Sequence, residues 1–312
     1  MDNVNQLISI IITTFNRKNY LKEAIGSVLN QTYKNYEIII IDDCSTDGTF
    51  EYIKNYYKED NIKIYRNEIN KGPGINRKYA LENYAKGEFV VFLDDDDLFI
   101  NNDYFKEALE LFSIYSDLSM VSASHLVHNV IDNTKKKIEF SYGNIVDNIE
   151  FFINFGNSDY IKPIISVTIF KIEALEYSNY KSMKILNDTT IFLRALLFGD
   201  MGFINEPSAE YLVHGENISF NMSVDFIIDN LDEKYKLYKL ANTNEKFKSK
   251  DLYKWFINQC DITIIYYIRG SKPTKRNLYK ILRWSLYRMK SVSKIKEYFK
   301  IYKESYNYER MI

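Results

Sequence analysis

Residues 87–97 read GEFVVFLDDDD: five large apolar side chains, Phe89 to Leu93, run without a break into Asp94, Asp95, Asp96 and Asp97. A continuous apolar run this short, rich in aromatic and β-branched residues, predicts a strand covered on both faces. Four adjacent carboxylates repel one another unless cations or hydrogen-bond donors neutralise them. Oxygen clusters of this kind suit Mg²⁺ or Mn²⁺, above all where a diphosphate completes the coordination shell. The bland alternative is a solvated acidic turn; the buried strand weighs against it by fixing the acids at the rim of a sheet.

Working outward, LISIII (Leu7 to Ile12) reads as an opening strand, and Asn19 as the cap of a helix carrying Tyr20, Leu21, Ala24, Ile25, Val28 and Leu29. EIIIID predicts a second strand ending at Asp42, and a helix with Phe50, Ile53 and Tyr57 on one face follows the CSTDGT turn. NIKIYR is a third strand, and residues 76–84 a third helix. Strand and helix in alternation give an α/β fold with a parallel sheet, whose ligands bind beyond the carboxyl ends of the strands. TTFNR, DDCSTDG and DDDD all fall at such ends, so three separate segments converge on one rim. Farther on, residues 104–115 and 188–198 read as helices and 119–130 as extended chain. Lys135 to Lys137 read as a surface turn and Ile164 to Phe170 as a strand, and beyond residue 218 the pattern is largely helical.

Composition narrows the classes. The 312 residues are enough for a core without disulfides, and Cys44 and Cys260 form neither a disulfide scaffold nor a zinc-site pattern. A reducing cytosol is the expected compartment. The apolar part of MDNVNQLISIIITTF is too short for a signal peptide or a spanning helix. Net charge is −1, but residues 271–312 hold 12 Lys/Arg against 3 Asp/Glu, leaving 29 against 39 before them. A basic end on an acidic body points to an anionic partner for that end. Nucleic acid is not expected, since no recognised nucleic-acid module accompanies the basic stretch.

The segments SIIITTFNR, SVLNQTYKNYEIIIIDDCSTDGT, NKGPGINRK and GEFVVFLDDDD together resemble glycosyltransferase family 2, as do ILNDTTIFLRAL and YLVHGENIS less strongly. The resemblance implies the GT-A fold, a central, mainly parallel sheet flanked by helices with a helical C-terminal extension. Its catalytic domain would span residues 1–219, with a nucleotide-binding half at 1–98 and an acceptor-side half at 99–219; residues 220–312 form the helical basic region. It implies an inverting, metal-dependent enzyme (EC 2.4 class) that uses Mn²⁺ or Mg²⁺ and a UDP-sugar donor. The acceptor would be a saccharide or lipid-linked saccharide in cell-surface glycan assembly, such as capsule or lipopolysaccharide. By the same resemblance Thr13 and Phe15 line the base and ribose pocket, Asp43 holds the base and Arg77 assists it. Asp94 lies near the ribose with Asp95 beside it, Asp96 contacts the diphosphate-bound metal, and Asp97 shapes the acceptor side. Asp188 matches the general base, and His214 approaches the metal or diphosphate. Four residues depart from the family pattern: Ile12 replaces a proline, Phe15 lacks a phenolic hydroxyl, Cys44 replaces a glycine, which predicts a turn without positive φ, and Asn187 stands where a glutamate commonly precedes the base, able to cap the helix in place of Asp188.

At the other end, residues 276–290 place Leu278, Ile281, Leu282, Leu286 and Met289 at helical spacing among cations. That stripe fits either an anionic membrane surface, with the protein peripheral on the inner face of the cell membrane, or packing of its apolar face against the catalytic domain. Two rival functions stay open at this level: a sugar-nucleotide nucleotidyltransferase, for which TTFNRKN lacks the Gly-rich basic triphosphate loop, and a noncatalytic saccharide-binding scaffold.

Overall fold

The computed structural model describes residues 6–214, 223–248, 251–271 and 273–307. It divides into two units, Met1–His214 and Gly215–Ile312. The expected boundary after residue 219 and the GENIS part of YLVHGENIS lie outside the described residues.

In the first unit β1 (Ile8–Thr14), α1 (Lys18–Leu29), β2 (Tyr36–Asp42), α2 (Thr49–Tyr56), β3 (Ile62–Arg66), α3 (Pro73–Asn83) and β4 (Phe89–Asp94) alternate as the apolar runs predict. There follow β5 (Asp97–Phe99), α4 (Tyr104–Ile114), β6 (Leu118–Asn129), β7 (Thr134–Lys137), β8 (Ile145–Val146) and α5 (Asn148–Asn154). β9 (Ile169–Lys171), α6 (Ile172–Tyr177), α7 (Asp188–Leu196) and β10 (Asp200–Val213) complete it. One sheet runs in the order β3-β2-β1-β4-β9-β6-β10-β5, with β7 on β6 and β8 on β10. Strands β3, β2, β1 and β4 are parallel, β9 reverses between β4 and β6, and β10 returns parallel to β6.

Burial on both faces explains the apolar strands. Ile10, Ile12, Ile38, Ile40, Val91 and Leu93 pack with Leu21, Ala24, Ile25 and Val28 of α1 and with Phe105 and Leu109 of α4. Ile11, Ile39 and Phe92 alternate with them and are equally buried. Each such side chain contributes about 1.5–3 kcal/mol. Register then aligns the polar ends: Thr13 stands opposite Asp94 and Ile41, and Thr14 opposite Asp42. Asp97 pairs with Tyr211 of β10, the strand that leads to His214.

Four local expectations change. Helix α1 begins at Lys18, with Arg17 at the capping position and Asn19 inside the helix. Lys135–Lys137 belong to β7, paired with Leu126–His128, and lysine is common where a strand meets solvent. Ile165–Val167 form a 3₁₀ turn, closed by Thr168 N donating to Ile165 O at 3.0 Å, so only Ile169–Lys171 is strand. Cys44 has φ of 70°, so this turn does take the left-handed conformation despite lacking glycine.

The second unit contains α8 (Val224–Thr243), α9 (Asp251–Ser271), α10 (Lys275–Met289) and α11 (Val292–Asn307). Leu231, Leu237, Trp255, Phe256, Ile264, Ile268, Ile281 and Tyr298 are buried. The segment DITIIYYI lies within α9. Of the stripe on α10, Leu278, Ile281 and Met289 are buried together with Trp284, whereas Leu286 is exposed. Among the described residues no helix is long and apolar enough to cross a membrane.

Candidate active site

The rim of the sheet is assembled from loops that lock one another. Asn16, at φ 56°, accepts from Thr46 N at 2.7 Å, and its own N–H donates to Ser45 Oγ at 2.9 Å. The β1 and β2 ends are thereby fixed together. Asp43, 3% exposed, accepts from Lys71 N at 2.9 Å, Gly72 N at 2.8 Å and Asn67 Nδ2 at 2.8 Å. Burial alone pushes the Asp43 carboxyl up, but bonds from Asn76, the Lys71 amide, Asn67 and the Gly72 amide outweigh it and hold the group low. Asp43 therefore shapes the NKGPG loop. Asp42 is fully buried, accepts from Ser45 N at 3.2 Å and pairs with Arg66 at 3.4 Å, which makes it a turn anchor. Thr13 is buried at the end of β1, and Phe15 is 43% exposed, free to stack on a flat ligand.

Beside this lies the acid cluster. One ligand oxygen from each of Asp94, Asp96 and Asp97 falls within 4.8 Å of the others. Asp96 Oδ2 meets both Arg17 Nη1 at 2.6 Å and His214 Nε2 at 3.0 Å, and Arg17 Nη1 also reaches Asp95 Oδ1 at 3.0 Å. The His214 ring stacks on Tyr20, centroids 4.9 Å apart. Burial raises Asp95 to about 6 against the pull of Arg17. Asp97 is buried within the cluster: Ser166 Oγ donates to its Oδ2 at 2.5 Å and accepts from Asp94 N at 3.2 Å. Burial, then Asp94, pushes the Asp97 carboxyl well up, and its Oδ1 is buried with no partner among the described residues. A hollow of about 320 Å³, lined by Asn19, Tyr20, Lys22 and Glu23, opens at Asp96.

Asp188 comes from the far half of the unit. Asn187 is the cap of α7, its side chain accepting from Thr190 N at 2.9 Å, so Asp188 is released from that task. Its side chain is 45% exposed and pairs with Arg77 Nη1 at 3.0 Å, while Arg77 Nη2 binds Asp94. Both ends of the Arg77 fork are thus taken by carboxylates, and its place is between Asp94 and Asp188. Burial pushes Asp188 up, but Arg77 and Lys162 prevail and hold it low. Gly74 brings α3 against the approach to α7: a Cβ there would lie 2.2 Å from Ile185 Cγ2, and Leu186 N donates to Gly74 O at 3.1 Å.

Residues 9–172, more than half of the chain, match the model of Glycosyl transferase family 2. The chain belongs to that family. A relative named only as an uncharacterized glycosyltransferase, from Haemophilus influenzae, is 38% identical over 141 residues, covering 43% of this chain and 55% of its own. The putative teichuronic acid biosynthesis glycosyltransferase TuaG of Bacillus subtilis is 41% identical over 98 residues, covering 31% and 38%. The chain thus spans about half or less of the length of these family 2 relatives. Staphylococcus aureus TarS, a poly(ribitol-phosphate) beta-N-acetylglucosaminyltransferase, is 39% identical over 103 residues, covering 32% of this chain and 18% of TarS. A crystal structure of a shorter TarS chain with UDP-GlcNAc superposes with a TM-score of 0.67 at 19% identity, over 97% of this chain and 92% of that one. That likeness shows the fold, GT-A with a helical C-terminal region.

The donor set of this family 2 chain fits a hard divalent cation: carboxylate oxygens gathered from Asp94, Asp96 and Asp97, one of them buried without a partner, and an imidazole at hydrogen-bond distance. Sequence reading missed Arg17, Lys162, Ser166 and Tyr20. Arg17 was visible as the cation of TTFNR at the end of β1. Lys162 and Ser166 stand in an irregular stretch and carry no local signal.

Proposed function

We propose that this chain is an inverting glycosyltransferase that moves a hexose or N-acetylhexosamine from a UDP-sugar to a hydroxyl of a saccharide or lipid-linked saccharide during cell-surface glycan assembly. The observation that carries this reading is the Asp188–Arg77–Asp94 bridge, in which one buried guanidinium joins a half-exposed carboxylate to the acid cluster. On this reading a base for the acceptor and a seat for the leaving group would stand at the two ends of one fork.

Asp43, Thr13 and Phe15 would hold the base and ribose, with Phe15 supplying a face for stacking. Asp94 and Asp95 would lie toward the ribose. Asp188 would take the proton of the acceptor hydroxyl as its oxygen bonds to the anomeric carbon. The bond from that carbon to the diphosphate breaks, its electron pair leaves with the nucleoside diphosphate, and a single displacement inverts the centre. Mn²⁺ or Mg²⁺ held by Asp96 and His214, with Asp94 and Asp97 adjacent, would offset the charge gathering on the departing diphosphate. Arg77 and Lys162 hold the Asp188 carboxyl low, so it stands ionised beside them. The two cysteines, both unpaired, support a cytoplasmic setting for the reaction.

The test is metal-dependent binding and turnover across UDP-, GDP- and dTDP-sugars, with Asp96→Ala and Asp188→Ala as paired variants. One UDP-sugar should bind, Asp96→Ala should weaken it, and Asp188→Ala should keep binding while losing transfer. Absence of nucleotide binding in the folded protein, with or without Mn²⁺, would favour the noncatalytic scaffold and sink the mechanism.

A further inference from the structure

Residues 275–290 read KRNLYKILRWSLYRMK, six Lys/Arg and no acid. Packing decides which side of the helix each residue takes. Leu278, Ile281, Trp284, Ser285 and Met289 turn inward; Trp284 Nε1 donates to Asp232 Oδ1 at 2.9 Å, and Tyr253 OH donates to Met289 O at 2.6 Å. The apolar stripe read from sequence is therefore largely consumed by the C-terminal unit itself.

The opposite face is the informative one. Lys275, Arg276, Tyr279, Arg283, Leu286, Tyr287 and Lys290 are all exposed, and their spacing of three and four residues sets them on one side of the helix. Tyr279 is 67%, Leu286 51% and Tyr287 73% exposed. Of the six cations, Lys280 is answered by Asp225 at 3.0 Å and Arg288 by Asp232 at 3.7 Å. Among the described residues, Lys275, Arg276, Arg283 and Lys290 meet no carboxylate within 4 Å. The neighbouring α11 differs, since its exposed face carries acids and pairs them internally, Lys294 with Glu297 and Lys300 with Glu304.

We propose that this outer face of α10 docks in the plane of a lipid bilayer that carries anionic headgroups. The four unanswered cations supply the attraction, while Tyr279, Leu286 and Tyr287 settle among headgroups and upper acyl chains. A nucleic acid or another anionic polymer would use the cations but gain little from Leu286, whereas a bilayer uses both kinds of side chain. This surface stands independently of the donor and acceptor chemistry.

The experiment is co-sedimentation of the full chain with vesicles of phosphatidylcholine alone and with a third of phosphatidylglycerol. Binding should require the anionic lipid and weaken at raised salt. Arg276→Gln with Arg283→Gln should lower the partition coefficient about thirtyfold, and Leu286→Ser with Tyr287→Ser about tenfold. Lys63→Gln with Lys106→Gln, the same loss of charge at exposed sites of the first unit, should change it less than about threefold. Because every substituted residue is exposed, circular dichroism melts should be unchanged, which separates lost docking from lost folding. Three outcomes would each overturn the proposal: equal retention of all variants, an equal loss on changing Lys63 and Lys106, or binding to heparin without binding to vesicles.

Discussion

Two acidic sites stand side by side on the same rim and are neutralised by different means. Asp43 is held by backbone amides of Lys71 and Gly72 and by Asn67, donors whose positions the loop itself fixes. Asp94, Asp95 and Asp96 are held by the side chains of Arg17, Arg77 and His214. Amides cannot withdraw without unfolding the loop, so the Asp43 site has one electrostatic state. Arginine side chains can swing away, which would let the proposed metal site exchange its own cations for another. On that reading a permanent pocket and a refillable one are built from the same residue type.

The largest expected effects sharpen that contrast at the chemistry. If Asp188 is the base, Asp188→Asn should lower kcat about a thousandfold with little change in KM for the donor, measured against a saccharide acceptor. Next comes Arg77→Gln, which leaves Asp94 and Asp188 facing each other without their shared cation. Urea unfolding should show a loss of about 3 kcal/mol. Mn²⁺ should restore part of that loss, because a cation on the cluster replaces some of the missing charge. Arg77→Lys should rescue little, since an ammonium cannot span two carboxylates as the fork does. Stability unchanged in Arg77→Gln would mean that the bridge is absent in solution.

Asp43→Asn tests the permanent half. It should cost about 1–3 kcal/mol, as the replacement brings an NH₂ against amide donors, and Mn²⁺ should restore none of it. The pH dependence follows from the depressed carboxyl. Its stabilisation is fully present above the ordinary carboxylate value of about 3.9 and is lost as pH falls through the lower value in the fold. Asp43→Asn should therefore flatten the acid limb of a stability-versus-pH curve. An acid limb identical to that of the unsubstituted protein would show that the loop does not hold Asp43 as described.

Much of this was legible in the sequence because it is local. The Ile-rich and Val-rich runs fix the parallel strands, and acids directly after them must reach the rim. Asn187 before Asp188 announced an alternative cap, and the structure uses it. What stayed illegible depends on distant partners. Arg17 and Asp95 are 78 residues apart, Arg77 and Asp188 are 111 apart, and no periodicity encodes either pair. Cys44 misled because a non-glycine residue argues against positive φ. Here the turn is held from outside, with Asp43 N donating to Thr14 O at 2.8 Å and Cys44 Sγ to Glu68 O at 3.3 Å. The helical period of α10 marked an apolar stripe but not which face the neighbouring helices would take, and Leu286 fell on the exposed side.

The smallest effect is the most discriminating. Arg17 Nη1 sits on Asp96 Oδ2, the oxygen that also receives His214, so a cation entering from solvent must displace it. Arg17 therefore stabilises the cation-free cluster and competes with what would fill it. Arg17→Gln removes the competitor and leaves the acids in place. Mn²⁺ titration of the protein without nucleotide, followed by electron paramagnetic resonance, should show affinity tightened about tenfold, equivalent to about 1.4 kcal/mol. The cation-free protein should melt at lower temperature, with the deficit closing as Mn²⁺ is added. Weaker Mn²⁺ binding in Arg17→Gln would reverse the relation, making Arg17 a support for the cation and the cluster no more exchangeable than the Asp43 site.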